Sequence, residues 1–357
     1  MKILTVIGAR PQFIKVAAVS RRLRSGDFPM LKEVLVHTGQ HYDPNMSQVF
    51  FDELDIPSPK HNLGVGSGTQ ASQTGAIMTA LEPVLVEEAP DLVLVFGDTN
   101  STLASAVVAA KAGIPLAHVE AGLRSFRRGM PEEVNRVITD RLSDLLFSPT
   151  EEAIINLKAE GRDDAHMVGD VMLDAFRYAQ SKEDTGILSS FDLTAGEYAL
   201  ATIHRAESTD DAERLRNLFH GLSEFSNTLP VILPLHPRTR NAIKKQGIKV
   251  AESVRIIDPV PYLTMVALLT SAAVVATDSG GLQKEASMAG VSCVTLRDET
   301  EWVETVASGW NRLPELTAHG VASALQSALE KPSGLPPSYG DEDAAGKILG
   351  HIASWQS

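Results

Sequence analysis

The amino-acid sequence predicts an α/β fold made of two Rossmann-like, doubly wound parallel-sheet domains, and three observations lead to this prediction. Short apolar runs alternate with longer segments of helical spacing, which is typical of βαβ units with right-handed crossovers. The apolar runs lack polar alternation, as strands do when both faces of a parallel sheet are buried. The chain has 357 residues, and a single domain rarely exceeds about 250 residues.

The predicted strands form two sets, one in each half of the chain. The first set lies at 2–8, 33–39, 92–98, 115–120 and 145–149, and the second at 198–204, 230–236, 254–258, 273–278 and 293–297. Segments with helical spacing at 101–112 and 132–144 connect strands of the first set. Because the two sets separate near 165–180, we place the first domain at 1–165.

The remainder of the chain is predicted as a second domain that begins at residue 166. A segment rich in Pro, Gly, Ser and Asp at 332–346 is expected to be a linker. A short amphipathic helix is predicted after it, at about 344–355.

Charge and composition restrict the partners of the chain. Its net charge is −13 and its pI is about 5.2, so nucleic acid and anionic lipid are not expected to bind. The single cysteine, Cys293, lies in an apolar run and is predicted to be buried and inert. The N-terminal apolar run is too short for a signal peptide, and no run reaches the roughly 18 apolar residues of a membrane span. We therefore expect a cytoplasmic protein.

Ligands of doubly wound sheets bind outside the carboxyl ends of the strands, so the residues that follow each strand are the candidates. The first strand leads into Gly8, Arg10 and Lys15, where two cations lie near a predicted helix start. A helix start with basic side chains is suited to phosphate. A plain turn with solvated Arg and Lys is the alternative.

Three carboxylates of the first domain are the candidates for acid–base chemistry. Asp98 and Glu120 each end a predicted strand, and Glu132 opens a predicted helix after Pro131. Asp98 also fits a helix N-cap, and Glu132 also fits an ordinary helix start. The prediction of a site therefore depends on all three carboxylates meeting at one edge of one sheet.

In the second domain, basic and glycine-rich segments follow the strands. His204 and Arg205 end one strand, and His236 with Arg238 end the next. The segment Asp278-Ser279-Gly280-Gly281 opens a helix that carries Glu285, and it is neither a Walker A loop nor a GxGxxG fingerprint. Glycines with free amides favour a diphosphate, and Glu285 is placed to reach ribose hydroxyls.

Taken together, these segments resemble the non-hydrolysing UDP-N-acetylglucosamine 2-epimerases. The matching segments, in the family's order, are GARPQFIK (8–15), TGQH (38–41), GDTNS (97–101), HVEAGLRS (118–125), PEEVNR (131–136), FSPT (147–150), HR (204–205), HPR (236–238) and DSGG with KEA (278–286). The resemblance implies a GT-B architecture with an interdomain cleft. It also implies that the C-terminal helix, about 340–357, returns to the first domain, which leaves 166–339 as the UDP-binding domain.

The resemblance further implies interconversion of UDP-GlcNAc and UDP-ManNAc by elimination and readdition of UDP, in polysaccharide biosynthesis. It implies a homodimer that needs no metal and no NAD. By their match to the family's motifs, the active-site residues are Arg10, Lys15, Asp98, Glu120, Glu132 and His204. The UDP-binding residues on the same ground are Ser279, Gly280, Gly281 and Glu285, and we add His236 and Arg238 as anion contacts.

The sequence departs from the family pattern around the sugar and the base. Trp302 stands where many members have a ligand-contacting arginine, and Met265 aligns with a phenylalanine that packs on uracil. The loop 124–130 is short and carries Arg127 and Arg128, which suit an acidic sugar. These changes resemble a branch that includes the UDP-2,3-diacetamido-2,3-dideoxy-glucuronate 2-epimerases, which is our alternative substrate.

Other functions remain open at this point. A GT-B glycosyltransferase would share the nucleotide half without requiring all three carboxylates. A non-catalytic UDP-sugar sensor would bind without turnover, and a hydrolysing variant would release the free sugar. The helix that begins near Gly68-Thr69-Gln70 lacks the arginine of regulated bacterial members, so allosteric activation by UDP-GlcNAc is not expected.

Overall fold

The computed structural model describes residues 1–40, 51–127, 129–182, 186–341 and 343–355. The chain divides into two compact units, one formed by Met1–Tyr178 with Tyr339–Ser357 and the other by Ala179–Ser338. Each unit contains one parallel β-sheet, of seven strands in the first unit and six in the second. The predicted α/β fold with two parallel sheets is therefore confirmed.

The sheet of the first unit has the order β3-β2-β1-β4-β5-β6-β7, and its paired strands run parallel. Its strands are β1 (Lys2–Ile7), β2 (Lys32–His37), β3 (His61–Asn62), β4 (Leu92–Phe96), β5 (Leu116–Val119), β6 (Leu145–Ser148) and β7 (His166–Met167). Every residue of β4 and β5 is buried, which explains why these strands are continuously apolar.

The sheet of the second unit has the order β10-β9-β8-β11-β12-β13, again with parallel pairs. Its strands are β8 (Ala199–Thr202), β9 (Val231–Pro234), β10 (Val254–Ile257), β11 (Val274–Thr277), β12 (Ser292–Thr295) and β13 (Asn311–Arg312). A core of aliphatic side chains from β8, β9 and β11 packs with Leu218, Leu222 and Leu325 from two flanking helices.

Helices connect the strands in both units. They are α1 (Arg10–Arg24), α2 (Gln70–Glu88), α3 (Asn100–Ala112), α4 (Pro131–Leu142), α5 (Glu151–Ala159), α6 (Val171–Ser181), α7 (Ile187–Ser190), α8 (Ala206–Thr209), α9 (Ala212–Phe225), α10 (Pro237–Gln246), α11 (Tyr262–Thr270), α12 (Gly280–Met288), α13 (Val303–Ala307), α14 (Ala318–Ala328) and α15 (Ala344–Ser354). Within the described part of the chain, none of these helices is long and apolar enough to span a bilayer.

Local sequence signals set the limits of α3, which follows β4. Thr99 is its N-cap, and the Thr99 side chain accepts a hydrogen bond from the amide of Thr102 at 3.3 Å. Such a cap stabilises a helix by about 1 kcal/mol. Gly113 ends the helix with a φ of 68°, a conformation that glycine adopts without strain. Asp98 is therefore not the N-cap that the sequence also allowed, and its carboxylate is available for another role.

The C-terminal helix α15 belongs to the first unit and packs on α1. The carboxylate of Asp174 accepts hydrogen bonds from the amides of Ala344 and Ala345, at 3.2 and 2.8 Å. The amide of Asp170 also donates to the carbonyl of Tyr339 at 2.9 Å. These contacts hold the first residues of the returning segment against α6 and the residue before it.

The sequence placed the end of the first domain at 165, whereas the structure divides the chain at Tyr178. The difference arises because β7 pairs with β6 and most of α6 stays with the first unit. Three strands, β3, β7 and β13, were missed by the sequence analysis. Each is only two residues long, which is too short for an apolar run to be recognised.

Candidate active site

The strand orders place two switch points at the carboxyl ends of the sheets, one in each unit. In the first unit β1 lies between β2 and β4, and in the second unit β8 lies between β9 and β11. The chain leaves β1 and β4 in opposite directions across the sheet, which opens a crevice suited to a ligand. The residues predicted from the sequence follow these same strands.

Lys15 and Glu120 form a buried ion pair at the first switch point. Lys15 Nζ contacts Glu120 Oε2, and their side chains are each 9% exposed. Gly97 leaves room for this pair, because a Cβ at that position would lie 3.1 Å from both charged atoms. The pair is thus joined to the turn that carries Asp98.

The backbone of Glu120 is strained. Its φ is 77°, a left-handed conformation that non-glycine residues rarely adopt and that costs of order 1–3 kcal/mol. The amides of Glu120 and Ala121 both donate to the carbonyl of Phe147 at 3.0 Å, which fixes the turn. Strain of this kind concentrates at functional sites, and here it aims the Glu120 carboxylate at Lys15.

Asp98 is held by helix α4. Arg136 donates to Asp98 Oδ2 from Nε at 2.9 Å and from Nη2 at 2.5 Å. Asn135 Nδ2 donates to the Asp98 carbonyl at 2.8 Å. The Asp98 side chain remains 31% exposed, so its carboxylate is both positioned and accessible. Arg136 and Asn135 lie in the PEEVNR segment, but their contacts with Asp98 could not be predicted from that segment.

Two successive glutamates of α4 have opposite environments. Glu133 is buried and accepts hydrogen bonds from the Ser125 amide at 2.8 Å and the Phe126 amide at 2.9 Å. Burial alone would raise the pKa of Glu133, but these donors and Arg136 lower it below its ordinary value. Glu132 is half-buried, and its carboxylate makes no hydrogen bond within the described residues. Glu133 therefore supports the loop, and Glu132 is available to a ligand.

His118 forms the centre of a buried charge network beneath these carboxylates. Its Nδ1 lies 2.6 Å from Asp140 Oδ1 and its Nε2 lies 2.8 Å from the carbonyl of Gly97. Arg124 Nη1 contacts Asp140 Oδ2 at 2.7 Å. Burial would raise the pKa of Asp140, but His118 and Arg124 lower it. None of these three residues is among the predicted active-site residues.

The start of α1 differs from the predicted phosphate site. The amides of Gly8 and Ala9 donate to Gln12 Oε1 at 2.8 and 3.0 Å, so they are not available to a phosphate. Arg10 is half-buried at the start of α1, and burial lowers its pKa.

In the predicted basic loop, Arg124 is buried and bonded to Glu160 at 2.7 Å, so it does not face a ligand. Arg127 is exposed. Arg128, like His41 of the TGQH segment, lies outside the described residues.

Asp278 organises the second switch point. It is fully buried, and its Oδ2 accepts hydrogen bonds from the amides of His204 and Arg205, both at 2.9 Å. His204 Nδ1 lies 3.2 Å from Asp278 Oδ1, which leaves Nε2 for a ligand. Burial would raise the pKa of Asp278, but these donors lower it. Asp278 is thus a support for His204 that the sequence had named only as the end of a strand.

His236 and Arg238 have structural partners. The His236 side chain caps α10 and accepts from the Arg238 amide at 3.2 Å, while its ring centroid lies 5.7 Å from that of His204. The Arg238 guanidinium donates to both oxygens of Asp210 at 2.8 Å. Of the two predicted anion contacts, His236 lies beside His204 and Arg238 is engaged by Asp210.

Glu285 is buried on α12 and faces α11. The Tyr262 hydroxyl donates to Glu285 Oε1 at 2.8 Å, and burial raises the pKa of Glu285 to about 7. Its Oε2 has no hydrogen-bond partner in the described part of the chain. Met265 lies half-buried on α11 one turn from Tyr262. The Tyr262 hydroxyl thus links Glu285 to the helix that carries Met265.

The start of α12 and Trp302 form the remaining part of the second site. Ser279 is the N-cap of α12, but its side chain makes no capping hydrogen bond. Trp302 is 8% exposed, and Lys284 Nζ lies 4.0 Å from the centroid of its ring. A Cβ at Gly280 would lie 3.5 Å from Trp302 Nε1. The helix start and the indole thus face each other across a small gap.

Comparison with known proteins gives matches along almost the whole chain. The family model for UDP-N-acetylglucosamine 2-epimerase matches residues 26–353. A UDP-2,3-diacetamido-2,3-dideoxy-D-glucuronate 2-epimerase from Pseudomonas aeruginosa is 48% identical over 99% of each chain. A UDP-N-acetylglucosamine 2-epimerase from Methanocaldococcus jannaschii is 40% identical over 98% of each chain.

Solved structures match equally broadly. The crystal structure of the M. jannaschii UDP-GlcNAc 2-epimerase in complex with UDP-GlcNAc and UDP has a TM-score of 0.90 and 39% identity, covering 99% of this chain and 100% of that one. The Neisseria meningitidis enzyme bound to UDP-GlcNAc has a TM-score of 0.89 and 29% identity, covering 99% of each chain. These matches confirm the fold class predicted from the sequence.

Proposed function

Because this chain belongs to the UDP-N-acetylglucosamine 2-epimerase family of isomerases, we propose that it interconverts UDP-GlcNAc and UDP-ManNAc. The observation that supports this most is the grouping at the first switch point. The Lys15–Glu120 pair adjoins Gly97, Asp98 follows it, and Asp98 is bonded by Arg136 of helix α4, the helix that also carries Glu132. A binding module would need no such set of positioned carboxylates.

The reaction requires that C2 of the sugar change configuration although no carbonyl activates its proton. Departure of UDP from C1 removes this obstacle, because loss of the C2 proton then gives a neutral 2-acetamidoglucal. Readdition of UDP, with a proton delivered to the opposite face of C2, gives the other epimer. The enzyme must therefore hold acid–base groups around the sugar and stabilise the negative charge that develops on the departing diphosphate.

The residues of the first unit would supply the acid–base groups. We assign this role to Asp98, Glu120 and Glu132, without distinguishing which acts on which face. Lys15 and Arg136 hold the carboxylates of Glu120 and Asp98 in place, which serves preorganisation.

The residues of the second unit would bind UDP. Glu285 would accept the ribose hydroxyls, Met265 would pack on the uracil, and the first amides of α12, at Gly280 and Gly281, would bind the diphosphate. His204 would donate to the same diphosphate from Nε2, because Asp278 occupies its Nδ1. No step in this scheme requires a metal or NAD.

A second substrate is favoured by one comparison. The P. aeruginosa relative, whose name specifies UDP-2,3-diacetamido-2,3-dideoxy-D-glucuronate, shares 48% identity, against 40% for the M. jannaschii UDP-GlcNAc enzyme. The exposed Arg127 near α4 is compatible with a sugar carboxylate. We therefore carry this diacetamido-uronate as the alternative substrate for the same reaction.

One experiment tests both substrates. Each UDP-sugar is incubated with the protein in D2O and followed by proton NMR. We expect loss of the C2 proton signal and appearance of the manno epimer with UDP-GlcNAc. Exchange seen with the uronate alone would transfer the assignment to the alternative substrate. Transfer of the sugar to an added acceptor without exchange would instead identify a glycosyltransferase.

Substitution of the carboxylates tests the acid–base assignment. Glu132→Gln and Asp98→Asn should each slow C2 exchange by about 10²–10⁴-fold, the range for loss of a general acid or base, while UDP affinity changes little. Glu152→Gln is the matched control, since Glu152 is exposed and is likewise the second residue of its helix. Near-normal exchange in the Glu132 and Asp98 variants would show that the acid–base assignment is wrong.

We further propose that the protein is a cytoplasmic homodimer acting in polysaccharide biosynthesis. The support for a dimer lies on α4, whose exposed face is apolar. Val134, Val137 and Ile138 are 45%, 40% and 37% exposed, whereas the buried face of the same helix carries Asn135 and Arg136. Such an exposed apolar face is typical of a contact surface, and a second copy is the partner we assign to it.

A further inference from the structure

One guanidinium on helix α4 binds two carboxylates at once. Arg136 donates to Asp98 Oδ2 from Nε and Nη2, at 2.9 and 2.5 Å, and to Glu133 Oε2 from Nη1 at 3.0 Å. The Arg136 and Glu133 side chains are 9% and 8% exposed, whereas that of Asp98 is 31% exposed. The positive charge is therefore shared between an accessible carboxylate and a buried one.

Glu133 determines how this guanidinium is oriented. Two nitrogens of the planar group, Nε and Nη2, converge on a single oxygen of Asp98, so this contact alone would let the plane turn about Oδ2. The bond from Nη1 to Glu133 fixes the third nitrogen and removes that freedom. Burial would lower the pKa of Arg136, but Asp98 and Glu133 raise it above its ordinary value. The guanidinium therefore stays charged between the two carboxylates.

The loop before α4 fixes Glu133 in turn. Glu133 Oε2 accepts from the Ser125 amide at 2.8 Å and from the Ser125 hydroxyl at 2.9 Å, and Oε1 accepts from the Phe126 amide at 2.9 Å. Phe126 has a φ of 58°, which is a strained conformation for a residue other than glycine. The position of Glu133 is thus set by several donors besides Arg136.

The charge of Glu133 also acts on Asp98. Burial would raise the pKa of Glu133, but the loop donors and Arg136 hold it below its ordinary value, so Glu133 is ionised at neutral pH. Two negative carboxylates then share one positive guanidinium, and repulsion between them offsets part of the attraction of Arg136 for Asp98. If Glu133 were neutral, the whole charge of Arg136 would act on Asp98 and make proton uptake by Asp98 harder.

We propose that Glu133 is a positioning residue for the reaction, which acts on Asp98 through Arg136. It orients the guanidinium that holds the Asp98 carboxylate, and it balances part of the guanidinium charge so that Asp98 can exchange a proton with C2 of the sugar. This inference rests on the proposed function, because it takes Asp98 to be one of the acid–base groups. Glu133 needs no contact with the sugar for this role.

Further titratable groups lie on the elements around Asp98, and the test leaves them unchanged. They are Arg10 and Lys15 of α1, His118 of β5, Glu120 after β5, Arg127 of the loop, and Glu132 and Asp140 of α4. A change in pH dependence that follows substitution of Glu133 alone is therefore assigned to the shared guanidinium.

Two substitutions separate the charge of Glu133 from its geometry. Glu133→Gln removes the charge from a side chain of the same shape, and Glu133→Asp keeps the charge on a shorter side chain. Glu88→Gln is the matched control, because Glu88 is also buried in the first unit and contacts a cation, Lys60 Nζ, at 2.6 Å. Glu88 ends α2 shortly before β4 begins, whereas Asp98 follows β4, so the two lie at opposite edges of the sheet.

A second background keeps the test decisive if Glu133→Gln weakens the fold. Phe126→Gly removes the backbone strain, since glycine adopts a φ of 58° readily, and the Phe126 side chain is 76% exposed. Glu133→Gln in this background is compared with Phe126→Gly alone. The loop then depends less on Glu133, while the contact between Arg136 and Asp98 is tested as before.

The measurement is exchange of the C2 proton in D2O as a function of pH, with the Kd for UDP from calorimetry and urea unfolding as the check on folding. In Glu133→Gln we expect kcat to fall by about 10–100-fold, because Asp98 is held less well, while KM and the Kd for UDP change little. The limb of the pH profile that reports Asp98 should move to lower pH by about one unit, whether Asp98 acts as acid or base. Glu133→Asp should keep both limbs in place, and Glu88→Gln should match the wild type.

The outcomes distinguish this inference from the function on which it rests. A wild-type protein that exchanges the C2 proton of neither UDP-GlcNAc nor the diacetamido-uronate would contradict the proposed function. Wild-type exchange with a normal kcat in Glu133→Gln would overturn the positioning role alone. A lower kcat with both limbs at their wild-type positions would also overturn it, because Glu133 would then serve only the fold of the loop. The same shift in Glu88→Gln would overturn it as well, since any lost charge would then suffice.

Discussion

At the scale of single residues, Glu285 shows how burial can prepare a side chain for a ligand. Burial raises its pKa to about 7, far above the roughly 4.3 of a solvated glutamate. Among the residues that the structure describes, only the Tyr262 hydroxyl donates to it, and one hydroxyl donor does not offset the loss of water. Ribose hydroxyls that donate to Oε2 would favour the ionised form and lower the pKa. Ligand binding and deprotonation of Glu285 are therefore expected to be coupled.

This coupling predicts proton release when UDP binds. In the free protein Glu285 is protonated below about pH 7, so release should be largest between the bound and free pKa values and vanish at higher pH, where the group is already ionised. Calorimetry in buffers of different ionisation enthalpy measures the protons released. Glu285→Gln removes this contribution and leaves only that of UDP itself. Identical proton release in variant and wild type would exclude Glu285 from the ribose site.

The stability of the ligand-free protein should also depend on Glu285, because without a ligand the raised pKa of this residue reduces the free energy of unfolding. A folded pKa of about 7 lies above the unfolded value, so ionisation of Glu285 progressively destabilises the fold as pH rises through roughly 4 to 7. Below that window the term is absent. The amide in Glu285→Gln avoids this cost, so urea unfolding at neutral pH should show that variant to be more stable than the wild type.

Several of the candidate residues could be predicted from their position alone, because the residues that follow parallel strands meet at one sheet edge. Asp98 and Glu120 are examples, and the structure places both beside Gly97. Side-chain partners were not predictable in the same way. The side-chain oxygen of Gln12 accepts from the Gly8 amide, and the Asp210 carboxylate accepts from the Arg238 guanidinium. Both donors were predicted to be available to phosphate. Such contacts depend on side-chain distances, which a pattern of strands does not contain.

At the scale of secondary-structure elements, His118 joins three parts of the first unit. It lies on β5, and it bonds the Gly97 carbonyl at the end of β4 and Asp140 on α4. Both ring nitrogens therefore face acceptors, one on the helix and one at the end of the neighbouring strand. The imidazole therefore holds the turn that carries Asp98 and the helix that carries Glu132 at a fixed separation. We expect it to act as a positioning residue for the carboxylates.

The prediction concerns His118→Gln, which retains only one of the two contacts. Turnover should fall by about 10–100-fold, since small displacements of acid–base groups are costly, while the Kd for UDP stays unchanged. The free energy of unfolding should fall by about 2–4 kcal/mol, because Asp140 loses a buried partner but keeps Arg124. His319→Gln is the control, with a side chain 86% exposed on α14. A stability loss without a change in kcat would show that His118 serves the fold alone.

The secondary-structure elements could be predicted where more than one feature of the sequence indicated the same element. The long strands combine apolar composition with burial on both faces, and the predicted and observed bounds of β4 both begin at Leu92. Two-residue strands such as β13 depend on their neighbours, since Asn311 is placed by β12 and not by its own composition. The boundary between units could not be located for a similar reason, because α6 runs across it.

At the scale of the whole molecule, the two units repeat one arrangement. Each has a parallel sheet whose first strand lies between the second and a later strand, and each collects polar side chains at the end of that first strand. The sequence predicted this because strand–helix alternation restricts the topology to a few solutions. It did not predict which face of α4 is buried. Helical spacing identified the helix, but the network of Asp98, Glu133 and Asp140 turns its polar face inward.

Helix α4 turns its polar face inward and its apolar face outward, and this leads to a prediction about assembly. Val137→Asp introduces a charge at the centre of the face formed with Val134 and Ile138, and desolvating that charge in a contact is costly. We expect light scattering to show a fall in mass from twice 38.4 kDa to 38.4 kDa. Urea unfolding of the first unit should be unchanged. Ile155→Asp is the control, since Ile155 is 57% exposed on α5 and should leave the dimer intact. A monomeric wild type would contradict the homodimer, and a dimeric Val137 variant would place the contact elsewhere on the protein.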